Sequence, residues 1–235
     1  ANKSAIMQKK RENERNFFET AAKGWSNAWS SEKGRKEWAT AHPFVVNVLR
    51  DLLKRKCNRI LDLGCGIGRH SILFAEHGLE VYSVDKSFEG LSFLQQSASK
   101  HKLRIGLTLS SFRELPYRDL SFDAVLAFNV IYHGNRDTVV DSIKEIIRIS
   151  HSRAIFFGTM LSKRNSDFGL GKEVAKNTFL RTHGYDEGHP HFYTDKKEMN
   201  ALLGDFDTVS LEELEHERPG SWHWHFVATR GEEGN

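Results

Sequence analysis

Three glycines alternate with other residues at positions 64, 66 and 68. They directly follow the apolar run 59–63 and directly precede a stretch with helical periodicity. The pattern predicts a buried strand, a tight turn and the start of a helix. Glycine allows backbone angles that other residues avoid and lets a ligand approach the main chain. The free amides at a helix start can then bind that ligand, so the stretch predicts a cofactor-binding loop.

Two classes of ligand use such a turn. A dinucleotide places its pyrophosphate there, usually with the spacing G-x-G-x-x-G. Here the spacing is G-x-G-x-G, and Asp62 comes shortly before the first glycine. A carboxylate repels a pyrophosphate in a low-dielectric crevice but attracts a cation. S-adenosylmethionine (SAM) carries a sulfonium and an ammonium group, so the sequence favours SAM over NAD.

The rest of the chain alternates apolar runs of strand length with amphipathic runs of helix length. Further strands are predicted at 79–84, 103–109, 124–128 and 154–158, and helices at 43–56, 87–100 and 137–149. We expect Asp137 to cap the last of these helices. The repeating order predicts a parallel sheet with helices on both faces. Right-handed crossovers then bring the strand ends to one ligand-binding edge.

The pattern changes after the fifth strand. Residues 160–196 are polar and non-periodic, which is typical of a functional lid or of a disordered loop. A short helix at about 195–203 follows, and then the runs 206–214 and 221–229 predict an antiparallel hairpin. Dinucleotide-binding halves usually continue with further βα units instead. The predicted fold is a three-layer, Rossmann-like α/β domain with a seven-stranded sheet that ends in this hairpin.

An N-terminal segment precedes this domain. We assign residues 1–40 to a helical lid segment and residues 41–230 to the SAM-binding domain. The charges of the segment indicate a solvated helix face, but its large rings must pack on something. Trp25 and Trp29 are candidates for covering the cofactor and the acceptor. Packing against the sheet is the equally weighted alternative.

Asp85 ends the second strand, 21 residues after Gly64. A carboxylate at this place accepts hydrogen bonds from the ribose hydroxyls of a nucleoside. Both SAM and NAD carry that ribose, so Asp85 does not separate them. The alternative is that Asp85 only caps the next helix. The strand–loop–helix–strand context favours ribose binding.

The chain resembles the class I SAM-dependent methyltransferases over about residues 44–160. The motifs that carry the resemblance occur in the family's order: Asp62-x-Gly64-x-Gly66-x-Gly68, Asp85, Leu115-Pro116-Tyr117 and Phe122-Asp123. The pattern is closest to the type-11-like enzymes, which act on small molecules. The insertion and the ending Trp222-His223-Trp224-His225 are also similar to tellurite-resistance-type methyltransferases. The resemblance implies an enzyme that uses SAM.

The resemblance also implies the residues of the site. The cofactor-binding residues are Asp62, Gly64, Cys65, Gly66, Gly68, Asp85, Lys86, Ser111, Phe112 and Asn129. Ser111 stands where the family often has an aspartate that accepts from the adenine amino group, and a hydroxyl accepts that bond without charge assistance. Phe112 is expected to pack against the adenine ring.

Residues after the fourth strand face the acceptor in this family. His133 is the first candidate for a base, which is needed only if the nucleophile must lose a proton. Tyr132 is the second candidate, as an orienting hydroxyl, and His189 and His191 are weaker ones. The alternative is that His133 is a loop residue or a contact behind the site. No metal is predicted, because the histidines lack a partnering cysteine pair or the H-E-x-x-H spacing; His223 and His225 are expected to be surface or pocket-lining.

The composition limits the classes of partner that the sequence favours. A net charge of +3 is too mild to favour nucleic acid, and no apolar run approaches the length of a membrane span. The two cysteines, Cys57 and Cys65, indicate a reducing, cytoplasmic compartment. The predicted partner is a small-molecule acceptor, whose methylated atom (oxygen, nitrogen, sulfur or a heavier chalcogen) stays open, as does the oligomeric state.

Two rivals remain besides an NAD-dependent enzyme, which Asp62 and the glycine spacing disfavour. One is an RNA methyltransferase, whose basic pocket mouth would use Lys163, Arg164, Lys172 and Arg181. The other is a non-catalytic regulator that binds SAM.

Overall fold

The computed structural model describes residues 23–216 and 218–232. In chain order the strands are β1 (Arg59–Leu63), β2 (Glu80–Asp85), β3 (Ile105–Leu109), β4 (Phe122–Ala127), β5 (Ser150–Ser162), β6 (Glu173–Ala175), β7 (Thr178–Leu180), β8 (Pro190–Thr194), β9 (Phe206–Glu215) and β10 (Trp222–Arg230). The helices are α1 (23–30 of the described residues), α2 (Glu32–Glu37), α3 (Pro43–Lys54), α4 (Arg69–Glu76), α5 (Phe88–Lys100), α6 (Arg136–Ile149) and α7 (Lys196–Leu202).

The main sheet has the strand order β3-β2-β1-β4-β5-β10-β9. The first five strands of this order are parallel. Strand β10 is antiparallel to β5, and β9 is antiparallel to β10. This arrangement confirms the predicted Rossmann-like fold with a terminal antiparallel hairpin. No helix in the described part of the chain has the length and apolar character needed to cross a bilayer.

Helices cover both faces of the sheet. Leu61 of β1 belongs to the apolar cluster that contains Val139 of α6. Ile60, one residue earlier, belongs to the cluster that contains Leu52 of α3. Successive side chains of a strand point to opposite faces, so β1 is buried on both sides. This explains why the strand is an almost continuous apolar run.

Helix α6 begins one residue earlier than predicted, and its cap is a different residue. Asn135 is extended and its side chain accepts from the amide of Thr138 at 3.0 Å. The expectation that Asp137 caps the helix was therefore wrong. Asp137 lies inside the first turn, where a negative charge suits the helix dipole.

The segment after β5 is more regular than its composition predicted. Strand β5 extends to Ser162, and β6, β7 and β8 form an antiparallel sheet within 160–196. β8 also pairs in parallel with Leu161 and Ser162 at the end of β5. Because β10 occupies the other edge of β5, β8 lies beyond the end of β4. This position brings the insertion against the loop after β4.

The N-terminal segment is described only in part. Residues 1–22, which include Phe17 and Phe18, lie outside the described residues. Within α1, Trp25 stacks on Trp29 with ring centroids 5.2 Å apart, and Trp25 also contacts Tyr185 of the insertion, 5.6 Å away. Gly24 lies so close to the insertion that a Cβ there would be 1.6 Å from the carbonyl oxygen of Tyr185. The helix is thus packed against the insertion.

Candidate functional site

A cavity of about 1010 Å³ lies at the carboxyl edge of the parallel strands, where the loops after β1, β2, β3 and β4 meet. One part of its wall comes from these loops. Other parts come from α1, α2 and the residues after it, the start of α4, the insertion and the turn between β9 and β10. The predicted site residues that line it are Gly64, Cys65, Gly66, Asp85, Lys86, Phe112, Asn129, Tyr132 and His133. The structure thus brings most of the predicted site into one space.

Gly64 and Gly66, in the turn after β1, have no room for side chains. Gly66 has a φ of +54°, and a Cβ there would lie 2.9 Å from Cζ2 of Trp29. Gly64 has a φ of +67°, and a Cβ there would lie 2.3 Å from Cγ2 of Val130. Both angles favour glycine. The turn therefore exposes bare main chain to the cavity, as a cofactor loop requires.

Asp85 is held by two main-chain amides. Its Oδ2 accepts from the amide of Gly66 at 2.7 Å, and its Oδ1 accepts from the amide of Ser87 at 2.7 Å. Burial raises the pKa of the carboxyl, although these amide bonds oppose the shift. Ser87 is itself the N-cap of α5. Asp85 thus orders the turn into α5 and also lines the cavity. The cap of α5 is Ser87 and not Asp85, and ribose binding by Asp85 stays a prediction.

Three predicted cofactor residues do not line the cavity: Asp62, Gly68 and Ser111. Asp62 is buried behind the loop, where its Oδ2 accepts from Oγ of Ser71 at 2.6 Å. Burial raises the pKa of Asp62 to about 6. Gly68 is the N-cap of α4. The side chain of Ser111 accepts from the amide of Arg113 at 3.3 Å, and Ser110 lines the cavity beside Phe112 instead.

Asn129 lies at the tip of β4 in the left-handed region, with a φ of +55°. Its main-chain amide donates to Oγ1 of Thr159 at 2.8 Å, and that hydroxyl donates back to the side-chain Oδ1 of Asn129 at 2.8 Å. Asparagine tolerates this backbone conformation better than most residues. The reciprocal bonds fix the turn from which the chain continues to Tyr132 and His133.

His133 contacts residues of the insertion, among them Asp186, a carboxylate that the sequence analysis did not identify. Its ring stacks on that of His191, with centroids 4.6 Å apart and planes 4° from parallel. Nε2 of His191 lies 2.8 Å from Oδ2 of Asp186, and Nε2 of His133 lies 3.7 Å from the same oxygen. We call these three residues the His133–Asp186–His191 cluster. All three are buried and line the cavity.

Burial governs the ionisation of this region. It lowers the pKa of His133 well below the usual range, and the neighbouring His191 acts in the same direction. Burial also lowers the pKa of His191, against the opposing hydrogen bond to Asp186. Burial would raise the pKa of Asp186, but His191, His133 and Arg181 outweigh it and lower that pKa. Burial raises the pKa of Tyr132, which therefore keeps its phenolic proton near neutral pH.

A second group of histidines lies on another part of the wall. It comprises His42, His216, His223 and His225, around Phe128. Nε2 of His216 lies 2.6 Å from Nε2 of His225, and burial lowers the pKa values of His216, His223 and His225 to about 2, 3 and 4. His225 is the member that does not line the cavity. Sequence reasoning missed His42 and His216, because neither has a local motif.

Three of the basic residues considered for RNA are paired within the chain. Nζ of Lys163 lies 2.7 Å from Asp195 and 2.8 Å from Glu198, and Arg164 pairs with Glu213 at 3.2 Å. Arg181 pairs with Asp167 inside the cavity wall. Lys172 is exposed and does not line the cavity. The mouth therefore presents less free positive charge than the sequence suggested.

Comparisons with known proteins agree with this geometry. Residues 60–152 match the methyltransferase domain family. The Bacillus subtilis protein YqeM, named as a methyltransferase, is 34% identical over 123 residues, which are 52% of this chain and 48% of that protein. The chain spans about half the length of the first curated relatives that it matches.

Two solved structures show the same fold. A SAM-dependent methyltransferase from Methanosarcina mazei superposes with a TM-score of 0.69 at 21% identity, covering 83% of this chain and 100% of that one. The 1,6-didemethyltoxoflavin-N1-methyltransferase of Burkholderia thailandensis, solved with its namesake compound and S-adenosylhomocysteine bound, gives 0.68 at 16% identity, covering 93% of this chain and 91% of that one.

The sheet order, the terminal antiparallel hairpin and the glycine turn are those of the class I SAM-dependent methyltransferase fold. Within that fold, residues 60–152 are the part of the chain that matches a methyltransferase domain.

Proposed function

We propose that the chain transfers the methyl group of SAM to a small-molecule acceptor that binds at the histidine-lined end of the cavity. The observation that carries the proposal is the continuity of that cavity. It joins the corner formed by Gly66 and Asp85 to the His133–Asp186–His191 cluster. Donor and acceptor can therefore share one space, which is the first requirement for a direct transfer.

The residues at the glycine turn fit the cofactor. The turn offers main chain without side chains, Asp85 offers a carboxylate to ribose hydroxyls, and Phe112 offers an apolar ring beside Ser110. SAM supplies a methyl group on a cationic sulfur, which leaves as a neutral thioether and needs no acid. The chain mainly has to align the acceptor with that methyl, and alignment alone can supply several kcal/mol.

Tyr132 and His133 are the side chains that we assign to the acceptor. They follow the fixed turn at Asn129 and line the cavity. Tyr132 is the orienting hydroxyl, and His133 is the predicted base. Trp25 and Trp29 line the same cavity, and we assign them the role of excluding water.

Two features support a small acceptor over RNA. Lys163, Arg164 and Arg181 are paired within the chain, although affinity for nucleic acid depends on cations that are free to contact phosphates. The aromatic cover from α1 also packs onto Tyr185 of the insertion, which narrows the approach to the cavity.

Methyl-labelled SAM tests the proposal. The protein is incubated with it and with separate small-molecule and RNA fractions of a cell extract. We expect label in a small-molecule product, which mass spectrometry identifies. Asp85→Asn is the matched variant that should lose the label, and Asp51→Asn, an exposed exchange on α3, should keep it. Label only in RNA would overturn the acceptor class, and SAM binding without turnover in any fraction would favour a regulator.

A further inference from the structure

The donor atoms of the His133–Asp186–His191 cluster lie close together at the wall of the cavity. Among the described residues, these three side chains offer one ligand atom each, and all of those atoms lie within 4.8 Å of one another. Oδ2 of Asp186 is 2.8 Å from Nε2 of His191 and 3.7 Å from Nε2 of His133. Tetrahedral coordination with bonds of about 2.0–2.1 Å separates ligand atoms by roughly 3.3 Å. The two separations from Oδ2 of Asp186 lie on either side of that value.

Backbone pairing holds the two histidine residues next to each other. His133 and His191 face each other across an isolated antiparallel bridge. The amide of Gly134 donates to the carbonyl of Pro190 at 2.8 Å, and the amide of Phe192 donates to the carbonyl of Tyr132 at 3.0 Å. The two ligands therefore stand on paired strand-like segments, which hold a site more precisely than free loops do.

The buried carboxylate of the cluster shares its arginine partner. Arg181 contacts Asp186 and also Asp167, and Asp167 lies 3.9 Å from Nε2 of His183 as well. Asp186 is 6% exposed, and buried charges are normally paired or bound to metal. A cation bound at the cluster would add to the compensation of this carboxylate.

We propose that His133, Asp186 and His191 bind a divalent transition-metal ion of the zinc class. Two imidazoles and one carboxylate form a donor set that such ions accept, whereas magnesium and calcium prefer oxygen ligands alone. Three protein ligands also leave coordination positions open. All three residues line the cavity, so an acceptor bound there can reach the open positions. Arg181, whose Nε lies 3.7 Å from Oδ1 of Asp186, helps to orient the carboxylate.

The role of the ion rests on the proposed function. An acceptor that presents an oxygen, nitrogen or sulfur donor binds the ion directly, and a cation lowers the pKa of a hydroxyl or thiol that binds it. His133 is then a metal ligand, and its predicted role as the base is the alternative. The proposal thus names the acceptor class: small molecules with a metal-coordinating group at the methylated atom.

Titration with a metal ion alone tests the site. The protein is dialysed against a chelator, exchanged into clean buffer and titrated with Zn²⁺ by calorimetry. A parallel sample receives Co²⁺, whose absorption spectrum reports nitrogen and oxygen ligands. We expect one equivalent bound by the wild-type protein. Asp186→Asn and His191→Asn should weaken Zn²⁺ binding by at least about a hundredfold.

Two control variants assign the binding. His183→Asn changes a cavity-lining histidine outside the cluster, and His225→Asn changes the second group of histidines. Both should keep the equivalent of Zn²⁺. Retained binding of S-adenosylhomocysteine by each variant shows that it is folded. If the wild-type protein binds no ion, or if Asp186→Asn binds as the wild type does while His225→Asn does not, the metal proposal fails. Methyl transfer by the metal-free protein would leave the proposed function standing without the ion.

Discussion

The amide of Gly66 donates a 2.7 Å hydrogen bond to Oδ2 of Asp85. This bond ties the turn after β1 to the tip of β2, so the two predicted cofactor elements are parts of one structure. It also fixes the carboxylate at the wall of the cavity. Any change at either residue therefore alters both the shape and the charge of the cofactor end.

Replacement of this carboxylate should weaken cofactor binding. Asp85→Asn keeps the size of the side chain but removes the charge that is predicted to accept from ribose hydroxyls. A hydrogen bond to a charged group is worth about 1.5–3 kcal/mol, so we expect the affinity for S-adenosylhomocysteine to fall by about tenfold to a hundredfold. Isothermal calorimetry measures it. Asp51→Asn, an exposed exchange on α3, should leave it unchanged; equal affinities of the Asp85 variant and the wild type would contradict the assignment.

Gly66 should not tolerate a side chain. Alanine at a φ of +54° costs about 1–2 kcal/mol of unfolding free energy, and its Cβ would also push against Trp29. We expect Gly66→Ala to lower both stability and affinity for S-adenosylhomocysteine. Gly78→Ala is the matched control, since Gly78 has a φ of +84° with nothing within 4 Å of an added Cβ. Gly78→Ala should lower stability alone. If it lowered the affinity for S-adenosylhomocysteine as much as Gly66→Ala does, the loss would not be specific to the turn after β1.

The predicted lid is tested at Trp25. This ring lines the cavity and bridges Trp29 to Tyr185, so Trp25→Ala should open the cover and raise the KM for the acceptor several-fold. The control is Trp222→Ala, because Trp222 does not line the cavity and contacts Arg164 instead. Steady-state kinetics compares the two. If Trp25→Ala leaves the affinities for cofactor and acceptor unchanged, Trp25 is not part of a lid, and α1 only packs against the rest of the chain.

Asp62 should make stability depend on pH. Its folded pKa is about 6, above the value of about 3.9 expected for an unfolded chain. The folded state holds the proton more tightly, so this contribution is present below about pH 4 and is lost as the pH rises through about 6. A difference of about two pKa units corresponds to about 3 kcal/mol.

Urea unfolding of the wild type and of Asp62→Asn measures this effect. We expect the difference between their unfolding free energies to shift in favour of the variant by up to about 3 kcal/mol between pH 4 and pH 7. Asp51→Asn provides the reference for an exposed acid. A pH-independent difference for Asp62→Asn would mean that the buried carboxyl titrates normally.

Local sequence patterns were sufficient to predict most of the strands and helices. The apolar run before Gly64, the periodicity of α3 and α6, and the hairpin after the insertion are set by neighbours in sequence, because strand and helix patterns repeat over a few residues. The cap of α6 was wrong because Asn135 and Asp137 are both suitable cap residues, and only the backbone angles choose between them. The insertion was mistaken for irregular chain because its strands are only three to five residues long.

The sequence by itself determined the class of fold, the glycine turn and the acid at the tip of β2, since each depends on contiguous residues. The tertiary structure alone decided which polar side chains meet in the cavity. His133 and His191 are brought together because β8 fills the place beyond the end of β4, and Asp186 comes with the same insertion. Residues separated by more than fifty positions have no common local pattern, so their meeting depends on how the strands pair.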